Sequence, residues 1–154
     1  MTKDQEGHRS IGFVSTYPPT SCGLATFTAA LREAMATRRR SDLGLDVVSV
    51  GDRPDVSRPE VIHHHRNGDG ASLRGAIKAL NDHDVALFQH EYGIYGGPEG
   101  AEVLELITGI EIPSVVTLHT VLGNPTSRQQ KILEQIIAHT DQAVVMSDTA
   151  LRRL

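Results

Sequence analysis

The fold is decided by the stretch Ile11-Gly12-Phe13-Val14-Ser15-Thr16-Tyr17-Pro18-Pro19-Thr20-Ser21-Cys22-Gly23, in which a short apolar run breaks off into a polar turn that ends in glycine. Two later runs break off in the same way: Val85-Ala86-Leu87-Phe88 before Gln89-His90-Glu91-Tyr92-Gly93-Ile94-Tyr95-Gly96-Gly97, and Val115-Val116-Thr117-Leu118 before His119-Thr120. If these runs are parallel strands of one sheet, their carboxyl ends lie along one edge, where open α/β sheets bind ligands. We therefore expect one cleft to collect all three polar clusters.

The rest of the chain alternates between strand and helix patterns. Further strands are expected over residues 45–50 and 143–146, with a short one at Val61-Ile62 that runs into three histidines. Helices are expected after Gly23, over residues 72–80 with Ser72 as the N-cap, and after Pro98 and Pro125. This alternation is typical of βαβ units, so the sequence predicts an α/β fold whose parallel sheet is covered by helices on both faces.

Length and charge restrict the class of protein. A chain of 154 residues fits one domain with a substantial core. Its formal net charge of -4 provides no overall basic field for nucleic acid or an anionic membrane. The run Arg38-Arg39-Arg40 is a local exception, and we interpret it as the basic end of a helix.

The N-terminus and the cysteine content indicate a compartment. Residues 1–10 are polar and contain no apolar core of a signal peptide, and we expect them to be flexible. A single cysteine, Cys22, excludes an intrachain disulfide and fits a reducing environment. We therefore expect a cytoplasmic protein, with contact at the inner face of the membrane left open.

The first polar cluster leads straight into a helix. Backbone N–H groups at Gly23, Leu24 and Ala25 are then available to an anion, for which phosphate is the natural candidate. The alternative is a turn that only redirects the chain. Cys22 beside the helix start lacks a Cys-His signature, so we interpret it as a loop cysteine rather than a nucleophile.

The other clusters are rich in histidine. His90 and Glu91 are adjacent on a strand and point to opposite faces, so we expect one to line the cleft and the other to support it. His119 follows a buried strand, where an imidazole either contacts a ligand hydroxyl or serves the structure. His63, His64 and His65 lack a further ligand at metal-site spacing, which favours a solvated strand edge over a metal site.

The clusters together resemble one family. The residues that carry the resemblance are Tyr17-Pro18-Pro19-Thr20-Ser21-Cys22-Gly23-Leu24-Ala25-Thr26-Phe27, Gln89-His90-Glu91-Tyr92-Gly93-Ile94-Tyr95-Gly96-Gly97, Thr117-Leu118-His119-Thr120-Val121-Leu122 and Val144-Val145-Met146-Ser147. In this order they are similar to the N-terminal domain of the retaining glycosyltransferases of family four, over about residues 11–151. Many members have two adjacent glycines in the first loop, whereas here Cys22 precedes a single Gly23.

The resemblance implies a fold and a domain arrangement. Members have the GT-B architecture, in which two Rossmann-like domains face each other across a cleft. Residues 11–154 would be the N-terminal half, a Rossmann-like doubly wound parallel sheet on the acceptor side. The sequence stops at Leu154 just after a helix start at Ser147-Asp148, so we expect the chain to be truncated before its C-terminal donor domain and inactive alone.

The resemblance also implies an activity and its residues. The full-length protein would transfer a sugar from a nucleotide-sugar donor, with retention, to a sugar, lipid-linked or small-molecule acceptor. Gly23, Leu24 and Ala25 would lie near the donor phosphate and sugar, and His119 beside the transferred sugar as the catalytic candidate. The acceptor side would contain His90, Glu91, Gly96 and Gly97. No metal, cofactor or nucleic acid is expected.

Two other functions stay open from the sequence. Asp52 ends the second strand, where a nicotinamide-dependent oxidoreductase holds the ribose, although the glycine fingerprint of such enzymes is missing. A Rossmann-like module that binds a small ligand without catalysis is the non-enzyme alternative.

Overall fold

The structure is a computed structural model that describes residues 9–38, 43–53 and 57–154. Within these residues six strands form one sheet: β1 Ser10–Ser15, β2 Gly44–Gly51, β3 Val61–Arg66, β4 Val85–His90, β5 Ser114–Leu118 and β6 Gln142–Val145. The helices are α1 Gly23–Arg38, α2 Gly70–Asn81, α3 Val103–Gly109, α4 Ser127–His139 and α5 Asp148–Leu151, with a 3-10 turn at Pro98–Gly100. Every helix in this part of the chain is too short or too polar to span a bilayer.

All strand pairs are parallel, and the strand order is β3-β2-β1-β4-β5-β6. This is the order of a doubly wound Rossmann-like sheet, in which the chain first builds outward from β1 and then returns to build the other half from β4. The α/β, Rossmann-like fold predicted from the sequence is confirmed. The short third strand is confirmed as well.

Strand alternation divides the core between the two faces of the sheet. Val14, Phe88 and Val116 face the larger cluster, which α2, α3 and α4 cover. Phe13 and Val47 face the smaller cluster, which α1 covers. Because neighbouring residues in a strand point to opposite faces, each buried strand reads as an unbroken apolar run.

Helix α1 is attached to the sheet by polar as well as apolar contacts. The hydroxyl of Thr28, which is fully buried, lies 2.9 Å from the Ser15 hydroxyl. Arg32 Nε donates to the Leu45 carbonyl oxygen at 2.8 Å. The first bond holds the beginning of α1 at the carboxyl end of β1, and the second ties the middle of α1 to the amino end of β2.

Several local predictions needed correction. Ser72 is not the N-cap of α2: Asp69 accepts from the N–H groups of Ala71 and Ser72, and the Ser72 hydroxyl binds back to β3. The chain after Pro98 makes a 3-10 turn before α3 begins at Val103. Helix α1 ends at Arg38; Arg39, Arg40 and residues 1–8 of the predicted flexible N-terminus lie outside the described residues.

The three histidines of β3 are structural. A register shift opposite Val47/Val48 places His63 and His65 towards α2 and His64 on the other face. His63 Nε2 donates to the Ser72 carbonyl oxygen at 2.8 Å, and the fully buried His65 lies 3.2 Å from the Glu102 carboxylate. The expectation of a solvated edge was therefore wrong: His63 and His65 pack against α2 and Glu102, and His64 bonds to the end of β2 on the other face.

Gly75 in α2 provides a test of this packing. Alanine is the better helix former by ~1 kcal/mol, yet a Cβ at Gly75 would lie 2.5 Å from His63 Cε1. We expect Gly75→Ala to lower the free energy of unfolding by about 1–2 kcal/mol, measured by urea denaturation, since the held ring must move.

A matched control is available in the same helix. A Cβ at Gly70 meets only the end of the Arg74 side chain, at 3.5 Å, so Gly70→Ala should be neutral or stabilising. In a His63→Ala background, Gly75→Ala should become stabilising. Equal effects of Gly75→Ala in both backgrounds would contradict this account.

Candidate functional site

The carboxyl ends of β1, β4 and β5 meet at one edge of the sheet, as the sequence predicts. The strand order reverses between β1 and β4, which are hydrogen-bonded neighbours. At such a point the loops after the two strands lead to opposite faces and leave a crevice, which is where open α/β sheets bind ligands. The first two polar clusters flank this crevice, and the third follows on the neighbouring strand β5.

The turn after β1 is closed by Cys22. Its sulfur lies 3.0 Å from the Thr16 hydroxyl and accepts the Ala25 N–H at 3.4 Å. The N–H groups of Gly23 and Leu24 have no hydrogen-bond partner among the described residues, and a Cβ at Gly23 would meet open space. Of the three predicted anion-facing groups, the structure leaves those of Gly23 and Leu24 unoccupied and uses that of Ala25 to cap the helix.

His119 lies beside α1. Its ring makes an edge contact with Phe27, with 4.8 Å between ring centroids. Its Nε2 donates to Gln89 Oε1 at 2.7 Å, so Nδ1 carries a lone pair, and no described residue donates a hydrogen bond to it. Burial lowers the pKa of His119, and the Glu91 carboxylate opposes this shift, so the ring is neutral at pH 7.

Gln89 positions His119, and sequence reasoning missed it. Its side chain is fully buried, and its backbone carbonyl oxygen accepts from the Tyr95 hydroxyl at 2.7 Å. The signal was its position: in β4 it points to the α1 face, one strand from His119. An amide there can orient an imidazole through a single hydrogen bond.

Glu91 also lies on the α1 side of the sheet. Its carboxylate accepts from the Thr120 hydroxyl at 2.5 Å, a bond between the loops that follow β4 and β5. His90 and Glu91 point to opposite faces, as expected, and a role for either residue in lining the cleft stays a prediction. Glu91 joins the partly exposed loops near His119, and His90 points to the other face.

His90 is enclosed by aromatic rings. It makes an edge contact with Tyr92 and stacks on Tyr95, with centroid distances of 4.9 and 6.2 Å. Neither ring nitrogen has a hydrogen-bond partner in the described parts of the chain, and burial, reinforced by the nearby His119, lowers the pKa of His90 to about 4. Its side chain has no exposed surface, and acceptor binding by His90 stays a prediction.

The glycine loop after β4 rests on Glu102. This carboxylate accepts from the Gly68 N–H at 2.9 Å, and a Cβ at Gly96 would collide with it. Gly97 has a φ of 76°, a conformation that favours glycine. These contacts explain both glycines by packing and backbone geometry, and their predicted role in acceptor binding stays a prediction.

Candidate metal ligands are not brought together. Among residues 9–38, 43–53 and 57–154, no group of three histidine, cysteine, aspartate or glutamate side chains could hold a metal ion. His63, His64 and His65 bind protein groups instead. Asp52 lies on the exposed exit of β2, beside the loop that follows β1.

The same fold occurs in solved structures. One is an alpha-glucosyltransferase in complex with UDP and a 13-mer DNA containing a central A:G mismatch, which matches this chain with a TM-score of 0.60. The two chains thus share a fold. Identity is 14%, over 90% of this chain and 37% of that one, so the chain spans little more than a third of this glycosyltransferase. Neither a protein-family model nor a curated protein matches the sequence.

The buried His90 predicts acid sensitivity. Because its pKa of about 4 in the folded chain lies below the ordinary 6.5, the unfolded chain takes up its proton first as the pH falls. The free energy of unfolding is therefore unaffected by His90 above about pH 6.5. It falls by up to about 3 kcal/mol as the pH is lowered towards 4. We expect His90→Phe to make this loss shallower in urea denaturation.

His139 supplies the control for that measurement. It is exposed near the end of α4, and its ring Nδ1 bonds to the Gln135 carbonyl oxygen. His139→Gln removes an exposed imidazole and leaves the enclosure of His90 intact, so the loss of stability assigned to His90 should persist in this variant. An unchanged slope in His90→Phe would refute the assignment.

Proposed function

We propose that this chain is the N-terminal, acceptor-side domain of a retaining GT-B glycosyltransferase. One observation carries the proposal: the open start of α1 and the free nitrogen of His119 lie on the same side of the sheet at the β1/β4 crevice. The family resemblance of the three clusters and the glycosyltransferase fold support it. The donor domain would belong to the same protein.

The first turn of α1 would act on the leaving group. Departure of a nucleoside diphosphate builds negative charge on the phosphate, and unpaired N–H groups at a helix start stabilise that charge. Gly23 and Leu24 offer such groups. Gly23 has no Cβ to keep a phosphate away from the backbone.

His119 would act on the transferred sugar. Nε2 carries the proton of the neutral ring and donates it in a hydrogen bond to Gln89, so Nδ1 is a hydrogen-bond acceptor. Because the ring is neutral at pH 7, Nδ1 remains an acceptor at that pH. An acceptor nitrogen can bind a sugar hydroxyl and orient the ring as the anomeric carbon gains oxocarbenium character. In the front-face mechanism common to the resembling family, the leaving phosphate takes the proton of the acceptor, so His119 is assigned an orienting contact.

Partners and location follow as further parts of the proposal. The donor is a nucleotide sugar, and the acceptor is a sugar, a lipid-linked molecule or another small molecule. The net charge of -4 argues against nucleic acid as the acceptor. No metal or cofactor is proposed, and the protein is proposed to act in the cytoplasm or at the inner face of the membrane.

Gly23→Val tests the donor side in the protein expressed from its complete reading frame. The new side chain occupies the open space before the helix start, so donor affinity should fall at least tenfold by calorimetry. Gly93→Val is the control, because a Cβ there also meets open space but outside the proposed donor site. If Gly23→Val and wild type bind the donor with equal affinity, the start of α1 is not part of the donor site.

His119→Ala tests the sugar contact in the same protein. We expect kcat for transfer from a radiolabelled nucleotide sugar to fall about 100-fold while donor affinity changes less than threefold. Gln89→Leu should lower kcat in the same direction, because it frees the Nε2 proton from its partner. Wild-type turnover in His119→Ala would make the ring structural, and sugar transfer by residues 1–154 alone would contradict the proposed need for a donor domain.

A further inference from the structure

We propose that the cavity between the turn after β1 and the exit of β2 is a carbohydrate site that holds the neighbouring hydroxyls of a neutral sugar. The cavity lies apart from the Gly23 and His119 contacts assigned above. Describing its ligand as the acceptor rests on the proposed function, whereas binding itself does not. Its lining residues are Thr16, Pro19, Thr20, Ser21 and residues 50–53.

The cavity has the size of a small-molecule site. Its volume is about 590 Å³, within the ~300–1,000 Å³ usual for ligand pockets. It opens at the carboxyl ends of β1 and β2, on the edge that also carries the β1/β4 crevice. A sugar held here would therefore lie along the same edge as the proposed transfer site.

The walls offer polar groups that the protein does not use. Asp52 and Arg53 are exposed and form no hydrogen bond or ion pair with any described residue. On the facing wall, the hydroxyls of Thr20 and Ser21 are likewise without a partner in the described parts of the chain. The site thus presents one carboxylate, one guanidinium and two hydroxyls to whatever enters it.

The backbone that carries these groups is held firmly on both sides. His64 bridges the end of β2, with Nδ1 2.6 Å from the Ser49 hydroxyl and Nε2 3.1 Å from the Gly51 carbonyl oxygen. On the other side, the Tyr17 hydroxyl donates to Glu60 at 2.9 Å. A preorganised site loses less entropy when it binds a ligand.

The chemistry of the lining selects a neutral sugar. A carboxylate accepts from two adjacent hydroxyls, and a guanidinium donates to hydroxyl or ring oxygens. Their charges cancel, so the pair gives no advantage to a polyanion. Pro19 and Val50 supply an apolar wall for the C–H face of a ring, and none of the lining residues is aromatic, so a base has nothing to stack on.

The test titrates residues 1–154 with methyl α-glucoside, methyl α-mannoside and methyl α-galactoside, and separately with NAD and UDP, monitored by NMR chemical shifts. We expect saturable binding of at least one glycoside, with shifts centred on residues 16–21 and 50–53. Asp52→Asn and Arg53→Gln should each weaken that binding at least tenfold. Asp82→Asn, an exposed aspartate after α2, should leave it unchanged.

Three outcomes would overturn the proposal. The first is that no glycoside binds saturably at tens of millimolar. The second is that a glycoside binds and Asp52→Asn does not weaken its binding. The third is that NAD binds and Asp52→Asn abolishes its binding. The last would favour the oxidoreductase alternative for this chain. If the complete protein transfers sugar and Asp52→Asn keeps the wild-type acceptor KM, the cavity does not hold the acceptor. If residues 1–154 bind a glycoside but the complete protein transfers no sugar, the proposed function is refuted and the carbohydrate site is not.

Discussion

The reversal of strand order between β1 and β4 is the constraint on which the site depends. Parallel strands need crossover helices, and a sheet built outward in both directions from its middle sends the two central crossovers to opposite faces. A crevice then remains above the two middle strands. The open start of α1 lies there because the chain leaves β1 directly into its first helix.

Alternation at the end of β4, continued by the residue that follows it, directs four consecutive side chains to alternate faces of the sheet. Phe88 and His90 face the larger core, whereas Gln89 and Glu91 face the side of α1 and His119. The enclosed His90 is kept neutral by burial. The adjacent residues His90 and Glu91 thus have different roles: His90 packs in the core, and Glu91 joins the loops beside the crevice.

Much of this was predictable from patterns of short range. The apolar runs predicted all six described strands and their parallel pairing. The breaks from three of these runs into polar residues indicated the functional edge. The predictions that Ser72 caps α2 and that the β3 histidines form a solvated edge were wrong, because the roles of these residues depend on distant partners. Ser72 bonds to β3, and His65 lies against Glu102. Gln89 was missed because its partner, His119, is thirty residues away.

The sequence by itself determined the α/β class, the parallel sheet and the three polar strand ends, since these follow from hydrophobic period and from residues that stop a strand. Only the tertiary structure decided which N–H groups at the start of α1 stay free, how His119 is oriented, and that Asp52 and Arg53 share a cavity with the first turn. These depend on contacts between segments far apart in the chain. Local secondary-structure propensity carries no information about the distance between such segments. That distance is set by hydrogen bonding and packing across the edge of the sheet.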